Sequence, residues 1–239
     1  MSQPFAVFDI DGTILRWQLY HAILDALNKA GRIDAASFSK VKNARMIWKK
    51  RAADDSFAHY EKEVIAAFDQ AIIGINYADF MAAVERVLEE YRGQTYTYTR
   101  DLIATLKEQG YLLFAISASQ LQAVELLAKH YGFDDWGASS YEVIDGHFTG
   151  KKDVMLRDKK PLFLKQLMAK HDCSKQDSVG IGDSDSDIAM LEIVEQPIAF
   201  NPNKQLFEHA KQAGWDVVVE RKNVVYRLAQ HEGQYVLEA

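Results

Sequence analysis

Near the start of the chain, a short apolar stretch ends in two aspartates that are separated by one residue. The stretch is residues 5–8, and Asp9, Asp11 and the turn-forming Gly12 follow it directly. Side chains two residues apart on a strand point to the same side, so both carboxyl groups would project from the strand's carboxyl end, where open α/β sheets bind ligands. The pattern therefore predicts an α/β fold with an acidic site at its first strand. A pair of surface aspartates in a loop is the alternative interpretation.

A second acidic cluster follows another short apolar stretch. Residues 178–182 lead into Asp183, and Asp187 lies beside the start of a predicted helix, where the helix macrodipole favours negative charge. Carboxylates at a buried strand end raise each other's pKa unless a cation neutralises them, and an all-oxygen site suits Mg²⁺. Asp183 is predicted to bind the metal, and Asp187 to orient a metal-bound water or a lysine. A calcium loop is disfavoured, because its glycine and its last acidic residue would fall on Ile188 and Val194.

Between the two acidic clusters lies a continuous apolar run that ends in small residues. Residues 111–116 are followed by Ser117 and Ala118 and then by a helical pattern, which is typical of a buried parallel strand. The strand's end would deliver the Ser117 hydroxyl and the next backbone amides to a helix N-terminus, which binds anions. A serine at such a turn is also a common helix N-cap. The neighbouring acidic strand ends favour phosphate binding.

A phosphate beside carboxylates also needs a fixed positive charge. Because Pro161 favours the first helical position, Lys160 is predicted to be the N-cap of the next helix. Lysine is a poor N-cap, since the macrodipole opposes a cation there, and a residue that breaks a local rule is a candidate for function. Lys160 is therefore the predicted phosphate-binding lysine. The competing lysines are Lys151, Lys152, Lys159 and Lys165.

Residues 16–92 carry helical patterns that no strand pattern interrupts. A block of about eighty residues is far longer than a crossover between parallel strands needs, so we expect it to form a separate helical domain. Further along, residues 141–149 predict a β-hairpin on an Asp-Gly turn. Core strands are predicted at residues 197–200 and 216–220.

The order of these motifs resembles that of the haloacid-dehalogenase-like (HAD) hydrolase superfamily, and the chain is similar to its phosphoserine-phosphatase-like branch, subclass IB. The residues that match its four motifs in turn are Asp9 with Asp11, Ser117, Lys160, and Asp183 with Asp187. The resemblance implies a Rossmann-like parallel sheet core made of residues 1–15 and 96–239. It also implies that residues 16–95 form an inserted α-helical type-one cap.

The same resemblance implies a Mg²⁺-dependent phosphatase that acts on a small phosphorylated metabolite. Asp9 would attack phosphorus to give an aspartyl-phosphate, while Asp11 would protonate the leaving alcohol and then activate water. Mg²⁺ would be bound by the Asp9 carboxylate, the Asp11 carbonyl and Asp183. The groups expected to bind the phosphate are Gly12, Ser117, Ala118 and Lys160.

The predicted site residues indicate the type of reaction, but they leave the substrate less well defined. Phosphoserine phosphatases carry a cap glutamate that contacts the substrate amine, and the matching position here is Gln18. A neutral amide cannot supply the same charge-assisted bond, so phosphate esters of other small amino alcohols, sugars or nucleosides stay open. Two other functions also stay open. They are phosphoryl transfer to an acceptor alcohol and a non-catalytic, phosphate-binding regulatory role.

Composition excludes several other classes of function. The net charge of −6 argues against nucleic acid as a partner. It also means that attraction of phosphate must come from local groups. A single cysteine excludes an internal disulfide. No apolar run is long enough to span a membrane, and no secretory signal precedes the first strand. We therefore expect a cytoplasmic protein with no membrane partner, whose oligomeric state the sequence leaves unknown.

Overall fold

The computed structural model describes residues 3–51, 53, 55–231 and 234–237, and it divides into two compact units. The first unit contains the residues up to Trp17, then Tyr91–Ser139, and the residues from Met155 onward. The second unit contains Gln18–Glu90 and Ser140–Val154. The helical segment expected at residues 16–95 is thus joined, within the second unit, by a segment from far along the chain.

The first unit is built on a largely parallel sheet. The strands in chain order are β1 (Phe5–Phe8), β2 (Leu112–Gln120), β3 (Asp135–Ile144), β4 (His147–Val154), β5 (Val179–Gly182), β6 (Gln196–Phe200), β7 (Asp216–Arg221), β8 (Val224–His231) and β9 (Gln234–Leu237). In this unit their order across the sheet is β3-β2-β1-β5-β6-β7-β8-β9. In this order, neighbouring strands pair in parallel from β3 through β2, β1, β5 and β6 to β7. Strands β8 and β9 pair antiparallel.

Strand β1 lies at the point where the strand order reverses. The chain leaves it toward β2 and β3 on one side and later returns to β5 on the other. All four residues of β1 are buried, as expected for a parallel strand that is covered on both faces. A reversal of this kind opens a crevice at the carboxyl ends of the strands. The three strands that carry the predicted motifs, β1, β2 and β5, are therefore neighbours at one crevice.

Helices cover the sheet of the first unit. They are α5 (Thr97–Glu108), α6 (Leu121–Tyr131), α7 (Lys160–Lys170), α8 (Ile188–Leu191) and α9 (Lys204–Ala213). A buried apolar cluster joins α7 and α8 to the sheet, with Phe5, Phe114, Leu164 and Leu191 among its members. This packing fixes the start of α7 relative to the carboxyl end of β1.

The second unit is built from four helices and a hairpin. The helices are α1 (Leu19–Lys29), α2 (Ala35–Lys49), α3 (Ser56–Ala71) and α4 (Tyr77–Tyr91), the last of which ends at the unit boundary. Their buried faces carry large apolar side chains such as Leu19, Phe68 and Phe80. Among the helices that the structure describes, none combines the length and the apolar character that crossing a membrane requires.

The hairpin of β3 and β4 is tied to α3 by a half-buried polar network. Its turn is formed by Asp145 and Gly146, both with positive φ, as a two-residue hairpin turn requires. The Tyr141 hydroxyl donates to Asp69 Oδ1 at 2.6 Å, and Lys152 Nζ lies 2.6 Å from Asp69 Oδ2. These contacts explain why the hairpin belongs to the helical unit.

Three strand predictions are confirmed and two strands were missed. The hairpin at residues 141–149 and the strands at 197–200 and 216–220 are present. Strands β8 and β9 were not predicted, because they lie at the sheet's edge and their apolar residues, including Val224 and Leu237, remain exposed. No buried apolar run marks them in the sequence.

We expect Tyr141→Phe to lower the free energy of unfolding by about 1–2 kcal/mol, because it removes a hydroxyl donor from a half-buried carboxylate and leaves the ring in place. Urea unfolding followed by circular dichroism measures the change. The matched control is Tyr77→Phe, the same change on an exposed ring of the same unit, for which we expect less than about 0.5 kcal/mol. Equal losses in the two variants would contradict the role given to the network.

Candidate active site

The predicted site residues come from the carboxyl ends of three adjacent strands. Asp9 follows β1, Ser117 is the sixth of the nine residues of β2, and Asp183 follows β5. Because β1 pairs in parallel with both β2 and β5, these ends open on the same edge of the sheet. The topology therefore brings together residues that are widely separated in sequence.

Lys160 lies between two aspartates at the centre of this edge. Its Nζ is 2.7 Å from Asp9 Oδ1 and 2.6 Å from Asp187 Oδ1, and the lysine is only 2% exposed. Burial lowers the pKa of Lys160, but the charges of Asp187 and Asp9 outweigh burial and hold that pKa above its ordinary value. The ammonium group is therefore a fixed positive charge in an otherwise acidic pocket.

The prediction that Lys160 is a helix N-cap is wrong by one residue. A three-ten turn, Arg157–Lys159, runs directly into α7, so Lys159 is the N-cap and Lys160 is already helical, with φ −49° and ψ −47°. Pro161 consequently occupies the second helical position. The tight turn moves the start of the helix toward the N-terminus.

The other four candidate lysines either pair with other carboxylates or are exposed. Lys151 pairs with Glu142 at 2.8 Å, and Lys152 pairs with Asp69. Lys159 and Lys165 are exposed. Of the five candidates, Lys160 is the one that is buried against the acidic residues.

Asp187 holds the lysine with one oxygen and the strand end with the other. Its Oδ2 accepts hydrogen bonds from the backbone N–H groups of Asp183 and Ser184, at 3.2 and 3.0 Å, and from the Ser184 hydroxyl at 3.1 Å. Gly182 allows this approach, because a Cβ there would lie 2.6 Å from Asp187 Cβ. Both oxygens of Asp187 are therefore engaged, one with Lys160 and the other with the backbone after β5.

Asp9, Asp183 and Asp187 form a compact acidic group. Each offers a carboxylate oxygen within 4.8 Å of the other two. Burial raises the pKa of Asp9 to about 7, with the charges of Asp187 and Asp11 adding to the effect and Lys160 opposing it. Burial and the charges of Asp9 and Asp187 likewise raise the pKa of Asp183 well above its ordinary range. The group therefore carries more negative charge than one lysine can balance.

Gly12 permits the close approach of Asp183 to the first motif. Its φ is +83°, a left-handed conformation, and a Cβ on it would lie 2.1 Å from Asp183 Oδ2. A side chain at position 12 would be strained by its backbone and would also displace the carboxylate. The glycine that follows the two aspartates is thus required by the geometry of the acidic group.

Asp11 is held by two serine hydroxyls. Ser117 Oγ donates to Asp11 Oδ2 at 3.0 Å, and Ser119 Oγ donates to the same oxygen at 2.7 Å. Ser119 was not among the site residues predicted from the sequence. The signal that would have found it is the spacing of the two serines, because residues two apart on a strand share one side.

The turn after Ser117 differs from the expected one. Strand β2 continues to Gln120, which is the N-cap of α6, so Ser117 is not an N-cap and Ala118 lies inside the strand. The pairing of β2 with β3 is irregular between Ile116 and Gln120, which lets the strand extend past the site. Gln18, the remaining predicted site residue, lies in the second unit as the N-cap of α1.

Asn203 also supports the site and was not selected from the sequence. Its backbone N–H donates to the carbonyl of Asp183 at 2.8 Å, and its Nδ2 donates to Asp185 Oδ1 at 2.7 Å. Its Oδ1 accepts from Leu206 N at the start of α9. The same residue therefore caps a helix and fixes the loop that carries Asp183.

Comparisons with known proteins agree with this geometry. The model of the family described as haloacid dehalogenase-like hydrolase matches residues 6–192. A histidinol-phosphatase from Neisseria meningitidis serogroup C is 25% identical over 223 residues, which are 89% of this chain and 97% of that protein. A phosphoserine phosphatase from Streptomyces coelicolor is 31% identical over 116 residues, which are 48% of this chain and 28% of that protein.

One solved structure shares the fold over nearly the whole length of both chains. It is a protein of unknown function from Bordetella pertussis Tohama I, with a TM-score of 0.72 and 22% sequence identity, and the match covers 91% of this chain and 98% of that one. Because the family model spans most of the sequence, including the positions of all the residues of the acidic site, the chain belongs to the haloacid dehalogenase-like hydrolases.

Proposed function

We propose that the chain hydrolyses a small phosphorylated metabolite with the help of Mg²⁺, through an aspartyl-phosphate on Asp9. The observation that carries this proposal is the buried contact of Lys160 with Asp9 at the carboxyl end of β1. In a chain of net charge −6, a phosphate needs a local positive charge. Lys160 supplies one directly beside a carboxylate that can act as a nucleophile.

In the first step, a carboxylate oxygen of Asp9 bonds to phosphorus while the bond from phosphorus to the leaving alcohol breaks. Asp11 gives its proton to the departing oxygen, which leaves as a neutral alcohol. Lys160 favours the ionised form of Asp9 against the effect of burial, and the ionised form is the one that attacks, since a protonated carboxyl is a poor nucleophile. The products of this step are the alcohol and the aspartyl-phosphate.

In the second step, a water oxygen bonds to phosphorus and the bond to Asp9 breaks. Asp11, now a carboxylate, takes a proton from the water, which restores both aspartates and releases inorganic phosphate. One residue serves as acid and then as base, so its position must suit both steps. The contacts of Asp11 with Ser117 and Ser119 place it at the same edge as Asp9.

The phosphoryl oxygens would be bound by groups already at this edge. The Ser117 hydroxyl and Lys160 Nζ are donors there, and the backbone N–H of Ala118 completes the proposed set of donors. The backbone N–H of Gly12 is engaged, because it donates to the Leu15 carbonyl at 3.0 Å. Fixed donors of this kind stabilise the charge that spreads over the phosphoryl oxygens in the transition state. Gly12 contributes by its lack of a side chain.

The acidic group fits a Mg²⁺ ion. Carboxylate oxygen is the donor that Mg²⁺ prefers. The raised pKa values of Asp9 and Asp183 reflect burial first and the repulsion of neighbouring carboxylates second, and a bound cation opposes both effects. Asp9, Asp183 and the carbonyl of Asp11 would bind it, whereas Asp187 is engaged with Lys160 and backbone amides. When bound, Mg²⁺ offsets the repulsion between Asp9 and the incoming phosphate.

The proposed substrate class is the phosphate esters of small amino alcohols. The similar proteins are named for phosphoserine and for histidinol phosphate, and each of those compounds carries an amine near its phosphate ester. Gln18 replaces the charged cap residue of the phosphoserine phosphatases, which favours a substrate other than phosphoserine. We infer that residues 18–90 select the leaving group, while the first unit performs the reaction.

Purified chain with Mg²⁺ should release inorganic phosphate and alcohol in equal amounts from at least one member of a panel that contains phosphoserine, histidinol phosphate, sugar phosphates and nucleoside monophosphates. Asp9→Asn should abolish this release, because it removes the nucleophile, and should leave the circular dichroism spectrum unchanged.

Alcohol release that exceeds phosphate release, in the presence of a second alcohol, would instead identify a phosphotransferase. Tight phosphate binding without turnover would identify the regulatory role. Full activity of Asp9→Asn would contradict the covalent mechanism.

Lys160→Met should lower kcat by about 10²–10³ for every substrate, because it removes a charge that stabilises the phosphoryl group itself. Lys159→Met is the matched control, since Lys159 is the preceding residue and is exposed. We expect its rates to match those of the wild type. The measurement is kcat and KM for a good and a poor substrate. A loss in Lys160→Met that is confined to one substrate would contradict the proposed role.

Chelation of Mg²⁺ should abolish turnover. In the metal-free chain, the free energy of unfolding should also depend on pH through Asp9. The folded chain holds the pKa of Asp9 at about 7, above the unfolded value of 3.8, so the stability gained from its protonated form is complete below 3.8 and is lost as pH rises through 7. The free energy of unfolding of the metal-free chain should therefore fall from about pH 4 to about pH 7, relative to Asp9→Asn, and change little above that range.

Urea unfolding at each pH measures this difference. Saturating Mg²⁺ should remove it, because the ion favours the ionised carboxylates of the folded state. Wild type and Asp9→Asn curves that run parallel without metal would contradict the raised pKa of Asp9.

A further inference from the structure

Ser119 makes a contact with the acid/base residue that the proposed reaction does not by itself require. Its hydroxyl donates to Asp11 Oδ2 at 2.7 Å, and it is only 3% exposed. We propose that Ser119 is a positioning residue, which holds the Asp11 carboxyl group in place while Ser117 turns to the phosphate. The inference rests on the proposed function, because it takes Asp11 to be the acid and the base.

The two serines are also hydrogen-bonded to each other. Both lie on one side of β2, and the backbone N–H of Ser119 donates to Ser117 Oγ at 3.0 Å. A serine hydroxyl has a single proton to donate. When Ser117 donates it to a phosphoryl oxygen, it no longer donates to Asp11. Ser119 then supplies the remaining serine contact to Asp11 Oδ2.

The same geometry assigns separate roles to the two oxygens of Asp11. The hydroxyls of Ser117 and Ser119 both donate to Oδ2 in this structure, and Ser119 continues to do so once Ser117 has turned to the phosphate. Oδ1 is then the oxygen that carries the transferable proton. In the first step that proton goes to the leaving alcohol oxygen as the bond from phosphorus to that oxygen breaks. In the second step Oδ1 takes a proton from the water that bonds to phosphorus.

A positioning role predicts a dependence on the leaving group. An alkyl alcohol needs a proton in order to leave, whereas 4-nitrophenol leaves readily as an anion. Ser119→Ala should therefore slow the first step with phosphoserine or histidinol phosphate by roughly 10- to 100-fold, the effect of one hydrogen bond to a charged group. It should slow the first step with 4-nitrophenyl phosphate much less. Rapid-quench measurement of the alcohol released in a single turnover separates this step from the second.

A double-mutant cycle tests whether Ser119 acts through Asp11. In an Asp11→Asn background, Ser119→Ala should cause no further loss, and Ser119→Thr, which keeps the hydroxyl, should retain most of the wild-type rate. A full additional loss in the Asp11→Asn background would show that Ser119 binds the phosphate directly and would overturn the proposal. An equal loss with both kinds of ester would overturn it as well.

A readout without turnover completes the test. Crystal structures of Ser119→Ala should show the Asp11 carboxyl group rotated away from its wild-type position, and an unmoved carboxyl group would overturn the proposal. The matched control is Ser178→Ala. Ser178 is a fully buried serine whose hydroxyl donates to the Lys175 carbonyl at the other end of β5, so neither Asp11 nor the rates should change. If the wild type hydrolyses no phosphate ester, the proposed function fails by that measurement, whereas the crystal structures still decide the role of Ser119.

Discussion

The candidate site depends on the placement of one ammonium group among three carboxyl groups, two of which are buried. A lysine as deeply buried as Lys160 is tolerated only when it is paired, and Asp9 and Asp187 provide the pairs. Asp187 is itself held by the backbone after β5, so the lysine ties the end of one strand to the end of the next. Much of the surrounding structure follows from the need to bring these groups to one point.

Glycines and small side chains make room for the charged groups. At Gly12 and at Gly182, any side chain would meet a carboxylate of the acidic group. On the other flank, Asn203 holds the loop that carries Asp183 and also caps α9. The site is therefore supported by backbone contacts from several elements, and the chemistry-bearing side chains have little freedom to turn away from it.

The sequence predicted the parts of the fold that local chemistry determines. Strand β1 and the Asp-Gly hairpin turn have strong local signals, and so does the helical pattern that precedes residue 92. The start of α7 was misplaced because a three-ten turn runs into it, a feature that no residue type announces. Ser119 was missed because its importance depends on the distance from β2 to Asp11, which only the tertiary structure fixes. Edge strands such as β9 lack a buried pattern altogether.

The helical unit is discontinuous in sequence, and this has a consequence for synthesis and for engineering. Its four helices leave the ribosome before the whole segment Tyr91–Ser139, and only afterwards does the hairpin of β3 and β4 arrive with Tyr141 and Lys152, the partners of Asp69. Until then that carboxylate has neither of these two partners. An exchange of the helical unit with that of a relative should therefore transplant both segments together, so that the residue at position 69 and its partners at positions 141 and 152 stay matched.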